Sequence, residues 1–393
     1  MFIKMTIFST FQSNVIKAFL SVVALISLAA LPALAQTSGT SPAPRKPTQE
    51  APAEAGGPQG DIGPMAIPKK KETPPEPPPK PPKNPEGMGD FSITKNVNLV
   101  TLEATVLTKN GQFVPGLKKE NFRVLEDGKP QTITNFQQTS EAPVTAVLLV
   151  EFARTNYYFV YDAMNAAYTF ANSLKPQDWI ATVSFDLKPR MLTDFTQDKR
   201  TVFESLRQLQ IPGFSETCVF DALYDTLDRL EGVSGRKYVI LIGSGYDSMS
   251  KHTFDQIQKK VKSTQNITIY TISTGEYARI MSESSMGGPT RLTFLQADNQ
   301  MNTWAKVTGG RWYKPRFEAE LPGIFQDIAA SIRNQYILAY HPTNEKLDGS
   351  YRKLKVELQA PDGGKLTVKD QKGKDLPVQV VARDGYTSKH QVE

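Results

Sequence analysis

The sequence predicts an α/β protein in which a doubly wound, mainly parallel sheet is inserted into a β-sandwich-like domain built by both flanks. Three observations carry this. From Val144 to Val150 the chain is almost continuously apolar, as a strand covered on both faces of a parallel sheet must be. From there to Asn334 strand-like and helix-like patterns alternate. On either side lie short alternating strands with Asn-Gly and Asp-Gly turns, and neither flank is long enough to bury a core alone, so the two are expected to pair.

The chain has 393 residues, and its order of elements starts with an export signal. Lys4 and Lys17 precede an apolar run from Ala18 to Ala30, and Ala33-Leu34-Ala35 supplies the small residues of a cleavage site, so residues 1–35 read as a signal peptide. Residues 36–90 are dominated by Pro, Gly, Ala, Lys and Glu, with Pro74-Pro75-Glu76-Pro77-Pro78-Pro79-Lys80-Pro81-Pro82 at their centre. Such a segment buries too little apolar surface to offset its ordering entropy and is expected to be an extended, disordered spacer.

Residues 91–142 form the first β-rich segment. Val100, Leu102, Ala104 and Val106 share one apolar face of its first strand, and Asn110-Gly111 and Asp127-Gly128 mark turns. Residues 143–333 form the α/β domain. Strands are expected at Val144 to Val150, Trp179 to Phe185, Tyr238 to Ile242, Ile267 to Ile272 and near Trp312. Helices are expected after Tyr158 and at Lys199 to Leu209, Val219 to Leu230, Phe254 to Val261, Phe294 to Val307 and Leu321 to Ile332. Residues 334–385 return to β structure, and 386–393 read as a disordered tail.

Composition excludes several functions. A net charge of +6 is spread among nearly as many acids, without a basic stripe carrying interleaved aromatics, so nucleic acid is not an expected partner. A weak attraction to anionic envelope surfaces stays open. The single cysteine, Cys218, rules out an intramolecular disulfide and a cysteine-based zinc site. Gly243-Ser244-Gly245 follows a strand but Ser248 stands where a dinucleotide loop needs its third glycine, and there is no Gly-Lys-Ser/Thr phosphate loop. His252, His341 and His390 carry no motif, and no Gly-x-Ser-x-Gly elbow occurs. The chain is therefore expected not to be an enzyme.

Several separated segments agree in order with one family. Val147-Leu148-Leu149-Val150-Glu151, Thr217-Cys218-Val219-Phe220-Asp221-Ala222-Leu223, Tyr238-Val239-Ile240-Leu241-Ile242 with Gly243-Ser244-Gly245-Tyr246-Asp247, and Trp304-Ala305-Lys306-Val307-Thr308-Gly309-Gly310 together resemble a von Willebrand factor type A domain. The stretch from Pro115 to Pro130 is similar to the β-segment that precedes such domains in exported acidobacterial proteins.

The resemblance implies a metal-ion-dependent adhesion site at the carboxyl edge of the sheet. There an Asp-x-Ser-x-Ser loop, a Thr and an Asp hold Mg²⁺, and a partner's acid completes the coordination. In this chain Glu151 stands for the first Asp, Ala153 for a Ser, Thr155 for the second Ser and Ser244 for the last Asp, while Thr217 is kept. Asp247 is a candidate replacement ligand. The expected site is thus degenerate, with Mg²⁺ or another divalent cation left open, and Glu151 is equally readable as an acceptor of backbone N–H bonds. Candidate contacts to an unidentified protein partner are Phe152, Arg154, Tyr157 and Tyr246, which favours adhesion or scaffolding outside the cytoplasm. The competing reading is a passive spacer in an envelope assembly.

Overall fold

The computed structural model describes residues 99–389 apart from 140, 155–156, 210–212, 276–279, 281–286 and 370–372. The expected signal peptide, Pro-rich spacer, most of the stretch 276–286 and the last four residues therefore lie outside the described residues.

The central sheet follows from strands that are apolar on both sides. Strand β5 (Val144–Glu151) is buried at every position. Val144, Ala146, Leu148 and Val150 face one core and Val147 and Leu149 the other, as the two-residue period of a strand dictates. Parallel partners are β6 (Trp179–Phe185) on one side and β8 (Arg236–Gly243) on the other. Beyond β8 lie β9 (Ile267–Ser273) and β10 (Trp312–Tyr313), and beyond β6 lies β7 (Pro189–Thr196), giving the order β10-β9-β8-β5-β6-β7.

Among the described residues, three helices cover each face. On one are α1 (Tyr157–Ser173), α2 (Lys199–Arg207) and α6 (Leu321–Arg333), contributing Phe170, Leu206, Phe325 and Ile328 to the core. On the other are α3 (Val219–Glu231), α4 (Phe254–Ser263) and α5 (Gly288–Thr308), contributing Leu223, Leu227, Ile257, Met301 and Trp304.

Two elements of the α/β unit differ from the sequence reading, and outside it Tyr386 and Thr387, read as part of a disordered tail, lie in a strand. Strand β7 (Pro189–Thr196) runs antiparallel to β6 at the sheet edge. Its register shifts twice and most of it is half exposed, so it shows neither a continuous apolar run nor clean alternation. Helix α5 begins at Gly288, six residues before the expected Phe294, with a proline in its first turn where a missing N–H costs no helical bond.

Strands from before and after this unit interleave in two further sheets. Strands β1 (Val100–Thr108) and β4 (Ile133–Thr139) join β11 (Gln335–Tyr340), β13 (Thr367–Lys369) and β14 (Asp375–Ala382) in the order β13-β14-β1-β11-β4. Strands β2 (Phe122–Glu126) and β3 (Lys129–Gln131) join β12 (Tyr351–Leu358) and β15 (Gly385–Thr387) in the order β15-β12-β2-β3. Asp127 and Gly128 both take positive φ, 47° and 82°, which makes the β2–β3 turn the mirror-image type that suits strand twist. Leu102, Ala104 and Val106 of β1 share one core with Phe122, Val124, Tyr336, Leu338 and Val356.

The entry and exit of the α/β unit are fastened at one place. Buried Asp178 accepts the N–H of Val144 at 3.0 Å and that of Lys175 at 2.6 Å, and it pairs with Arg333. Arg236 Nη2 donates to the Ala142 carbonyl at 3.0 Å while Nη1 donates to that of Ile332 at 3.3 Å.

Candidate functional site

The carboxyl edge of the parallel strands carries four of the expected residues, Glu151, Thr217, Ser244 and Asp247, and three of them are hydrogen-bonded through their side chains to protein groups. Glu151 ends β5 with no exposed surface. Its carboxylate reaches across to the neighbouring strand end, where Oε2 accepts the Ser244 N–H at 2.6 Å and the Ser244 hydroxyl at 2.8 Å, with Oε1 3.1 Å from the same hydroxyl. This close approach depends on Gly243, since a Cβ there would stand 2.6 Å from Glu151 Oε2. Gly245 takes φ +72° and packs against α5, where a Cβ would meet the Ala297 carbonyl at 2.9 Å. The Gly-Ser-Gly loop is thus shaped by a carboxylate and a helix.

The departures from the family pattern at 151 and 244 are complementary. Where the resemblance implies two acids around a cation, the chain has a longer acid and a hydroxyl that hydrogen-bond each other. A buried carboxylate needs such donors in place of water.

Asp247 is similarly engaged. Helix α3 starts after Cys218, whose side chain gives no cap, and Asp247 Oδ2 instead accepts the Phe220 N–H at 3.0 Å and the Ser250 hydroxyl at 2.5 Å. The Ser250 Oγ accepts the Asp221 N–H at 3.0 Å. Orphan donors and the positive end of the helix dipole are thereby satisfied from the β8–α4 loop. Burial pushes the Asp247 carboxyl above its usual range, against the pull of the Ser250 and Phe220 donors. In the same turn, Asp221 accepts the backbone N–H groups of Lys251 and His252 and lies 2.7 Å from His252 Nδ1. The His252 ring stacks on Tyr224 at 4.0 Å between centroids, so this histidine is a structural one.

Thr217 is fully buried, and its Oγ1 has no hydrogen-bond partner among the described residues. Thr155 lies outside the described residues, as does the side chain of Tyr157. Among the described residues no group of three His, Cys, Asp or Glu is placed to hold a metal ion. Among the described residues of the expected site, Glu151 and Asp247 are held by protein donors, and Ala153 is buried and has no ligating atom. Cys218 is buried, and burial together with Asp221 and Asp247 pushes its thiol up to about 12, which leaves it an inert core residue.

The partner-contact candidates divide. Phe152 is 6% exposed and belongs to the core beside β5, which corrects its reading as a surface contact; it follows a strand buried on both faces and continues that burial. Arg154 is exposed, with its N–H donated to the Phe214 carbonyl at 2.7 Å. Tyr246 is 38% exposed.

The same edge exposes large apolar side chains that the sequence reading did not single out. Phe214, Met249, Phe254, Leu292 and Leu295 are between 40% and 64% exposed. Helical phase could have marked three of them. Ile257 and Val261 define the buried face of α4, and Ala297, Met301, Trp304 and Thr308 that of α5; Phe254, Leu292 and Leu295 are apolar side chains left exposed outside those sets. Between these helices lies a groove of about 440 Å³ lined by Phe220, Tyr246, Phe254 and Gln300.

No family model matches the chain, and no curated protein matches it. Among solved structures it is similar to the von Willebrand factor domain of the type V pili tip protein Mfa5 from Porphyromonas gingivalis, at 15% identity and TM-score 0.37 over 49% of this chain and 95% of that one. It is similar to von Willebrand factor type A from Catenulispora acidiphila at 12% identity and TM-score 0.40, over 75% of each chain. BatB from Bacteroides thetaiotaomicron matches at 12% identity and TM-score 0.35, over 49% of this chain and 100% of that one.

Proposed function

We propose that this chain is an exported, non-catalytic binding protein of the von Willebrand factor type A kind, acting in adhesion or scaffolding at the bacterial envelope or outside the cell. Its type A-like unit is read as a doubly wound domain inserted into a sandwich of the two antiparallel sheets. The interleaved strand orders and the fastening of Val144 and Arg333 through Asp178 support that reading.

One observation carries the functional reading. Tyr246, Met249, Phe254, Leu292 and Leu295 are exposed apolar side chains gathered on loops and helix starts at the edge where open α/β sheets receive ligands. Monomeric proteins rarely gather exposed apolar groups without a partner. With Glu151 bonded to Ser244, the edge would recognise that partner by shape and apolar contact in place of a shared cation. Protein partners are met this way at interfaces whose centres are dry and aromatic.

The test is chemical cross-linking of the protein in its native envelope fraction, comparing wild type with a Tyr246→Ser, Met249→Ser, Leu292→Ser variant and with Trp179→Ser, a change at an exposed aromatic on the opposite edge. Loss of cross-linked species in the triple variant alone is the expected result. Identical patterns in all three would favour the passive spacer.

A further inference from the structure

A second cavity lies at the other end of the α/β sheet. It encloses about 130 Å³ beside Gln265 and Asn266, the residues that lead into β9, and is closed by the starts and ends of the flanking strands. About 10–15 Å³ of such space holds one water, so the cavity has room for a small polyatomic ion.

Its charge is one-sided. Lys346, Arg383 and Lys389 line it, together with amide and hydroxyl groups of Gln265, Asn266 and Ser388, and none of the described lining residues is acidic. Arg383 donates from Nε to the Gly385 carbonyl at 2.9 Å and from Nη2 to the Thr264 carbonyl at 2.7 Å, which fixes the guanidinium plane. Neither bond neutralises it. Among the described residues no carboxylate lies within ion-pair distance of Arg383, Lys346 or Lys389.

Asp348, bonded to the lining residue Ser388, and Glu103, whose charge acts on Arg383, both carry other bonds as well. Asp348 accepts the Ser350 N–H at 3.0 Å and the Ser388 hydroxyl at 3.0 Å and pairs with Arg352 at 3.3 Å. Glu103 lies 3.1 Å from the Tyr238 hydroxyl, and burial raises its pKa. Burial also lowers the pKa of Arg383, against the weaker opposing pull of Tyr351 and Glu103, yet a guanidinium stays protonated at any physiological pH.

We infer that this cavity binds a small oxyanion, a carboxylate or phosphate group, with Arg383 as its fixed inner donor and Lys346 and Lys389 as its outer charges. A planar guanidinium held by two carbonyls keeps Nη1 for such an oxygen, and its bonds to the backbone remove the entropy that an exposed arginine would lose on binding. The site is independent of the carboxyl edge, so the two readings stand or fall separately.

The experiment is thermal unfolding of the full chain titrated with sodium phosphate and, separately, sodium acetate, at constant ionic strength against chloride. A ligand that binds only the folded state raises Tm saturably. The expected result is a saturable rise with at least one of the two anions. Lys346→Gln with Lys389→Gln should weaken its apparent affinity about tenfold, the loss of about 1.4 kcal/mol, with the Tm of the anion-free protein unchanged. Arg383→Gln should abolish it. The same titration on a chain ending at Lys389 separates a free anion from the chain's own Glu393. No saturable rise with either anion, an equal rise in the double variant, or a rise that emerges only on removing residues 390–393 would each overturn the inference.

Discussion

At the scale of the residue, Glu151 and Ser244 explain each other. A glutamate in place of aspartate reaches one methylene further, and Gly243 leaves the space in which its carboxylate meets Ser244. The pair gives the buried Glu151 carboxylate protein donors for both of its oxygens. Ser244→Ala removes a hydroxyl donor from a buried carboxylate while keeping the backbone N–H. It should lower unfolding free energy by about 1.5–3 kcal/mol, read from urea midpoints at an unchanged slope. A change below about 0.5 kcal/mol would show that the hydroxyl does not hold Glu151.

At the scale of the element, α3 shows how much of the site the sequence carried. The apolar spacing of Val219, Ala222, Leu223, Leu227 and Leu230 made the helix itself readable, and continuous apolar runs made β5 and β8 readable. The role of Asp247 was not. It depends on a loop twenty-seven residues later folding back onto a helix whose own N-cap, Cys218, offers no oxygen acceptor. Strand β7 was hidden for the opposite reason, since an edge strand with register shifts and one wet face loses both of the periodicities by which strands are read.

The helix also makes a pH prediction. Burial acts to raise the Asp221 pKa, but the N–H donors of Lys251 and His252 and the His252 ring outweigh it and hold the carboxyl below its usual range. A carboxyl whose folded pKa is depressed contributes stability above its unfolded value, about 3.9, and loses it as pH falls through the folded value. Asp221→Asn should therefore cost about 1–2 kcal/mol at pH 7. That difference should shrink below about pH 4 and vanish under the folded pKa, as urea titrations between pH 2.5 and 7 would show. A difference constant with pH would contradict the assignment.

At the scale of the whole molecule, the two flanks are held as one body by a buried polar centre. Glu126, from the segment before the α/β unit, takes hydrogen bonds from Tyr340 at 2.6 Å and Tyr386 at 2.9 Å and lies 4.0 Å from Arg352, all from the segment after it. Glu126 and Arg352 are 2% and 1% exposed, so removing Glu126 leaves two tyrosine hydroxyls without their acceptor and Arg352 with Asp348 as its remaining ion-pair partner. Glu126→Ala should cost about 3–5 kcal/mol, and a loss under about 1 kcal/mol would mean that apolar packing alone joins the flanks.

Tied at that end, the molecule presents the other edge of its parallel sheet, and the central claim is that this edge meets a partner without a cation. Calorimetric titration of the protein with Mg²⁺, Mn²⁺ and Ca²⁺ tests it most directly. The account predicts no saturable heat and no change in Tm with any of the three. Stoichiometric binding of one of them, lost in Glu151→Gln, would contradict it.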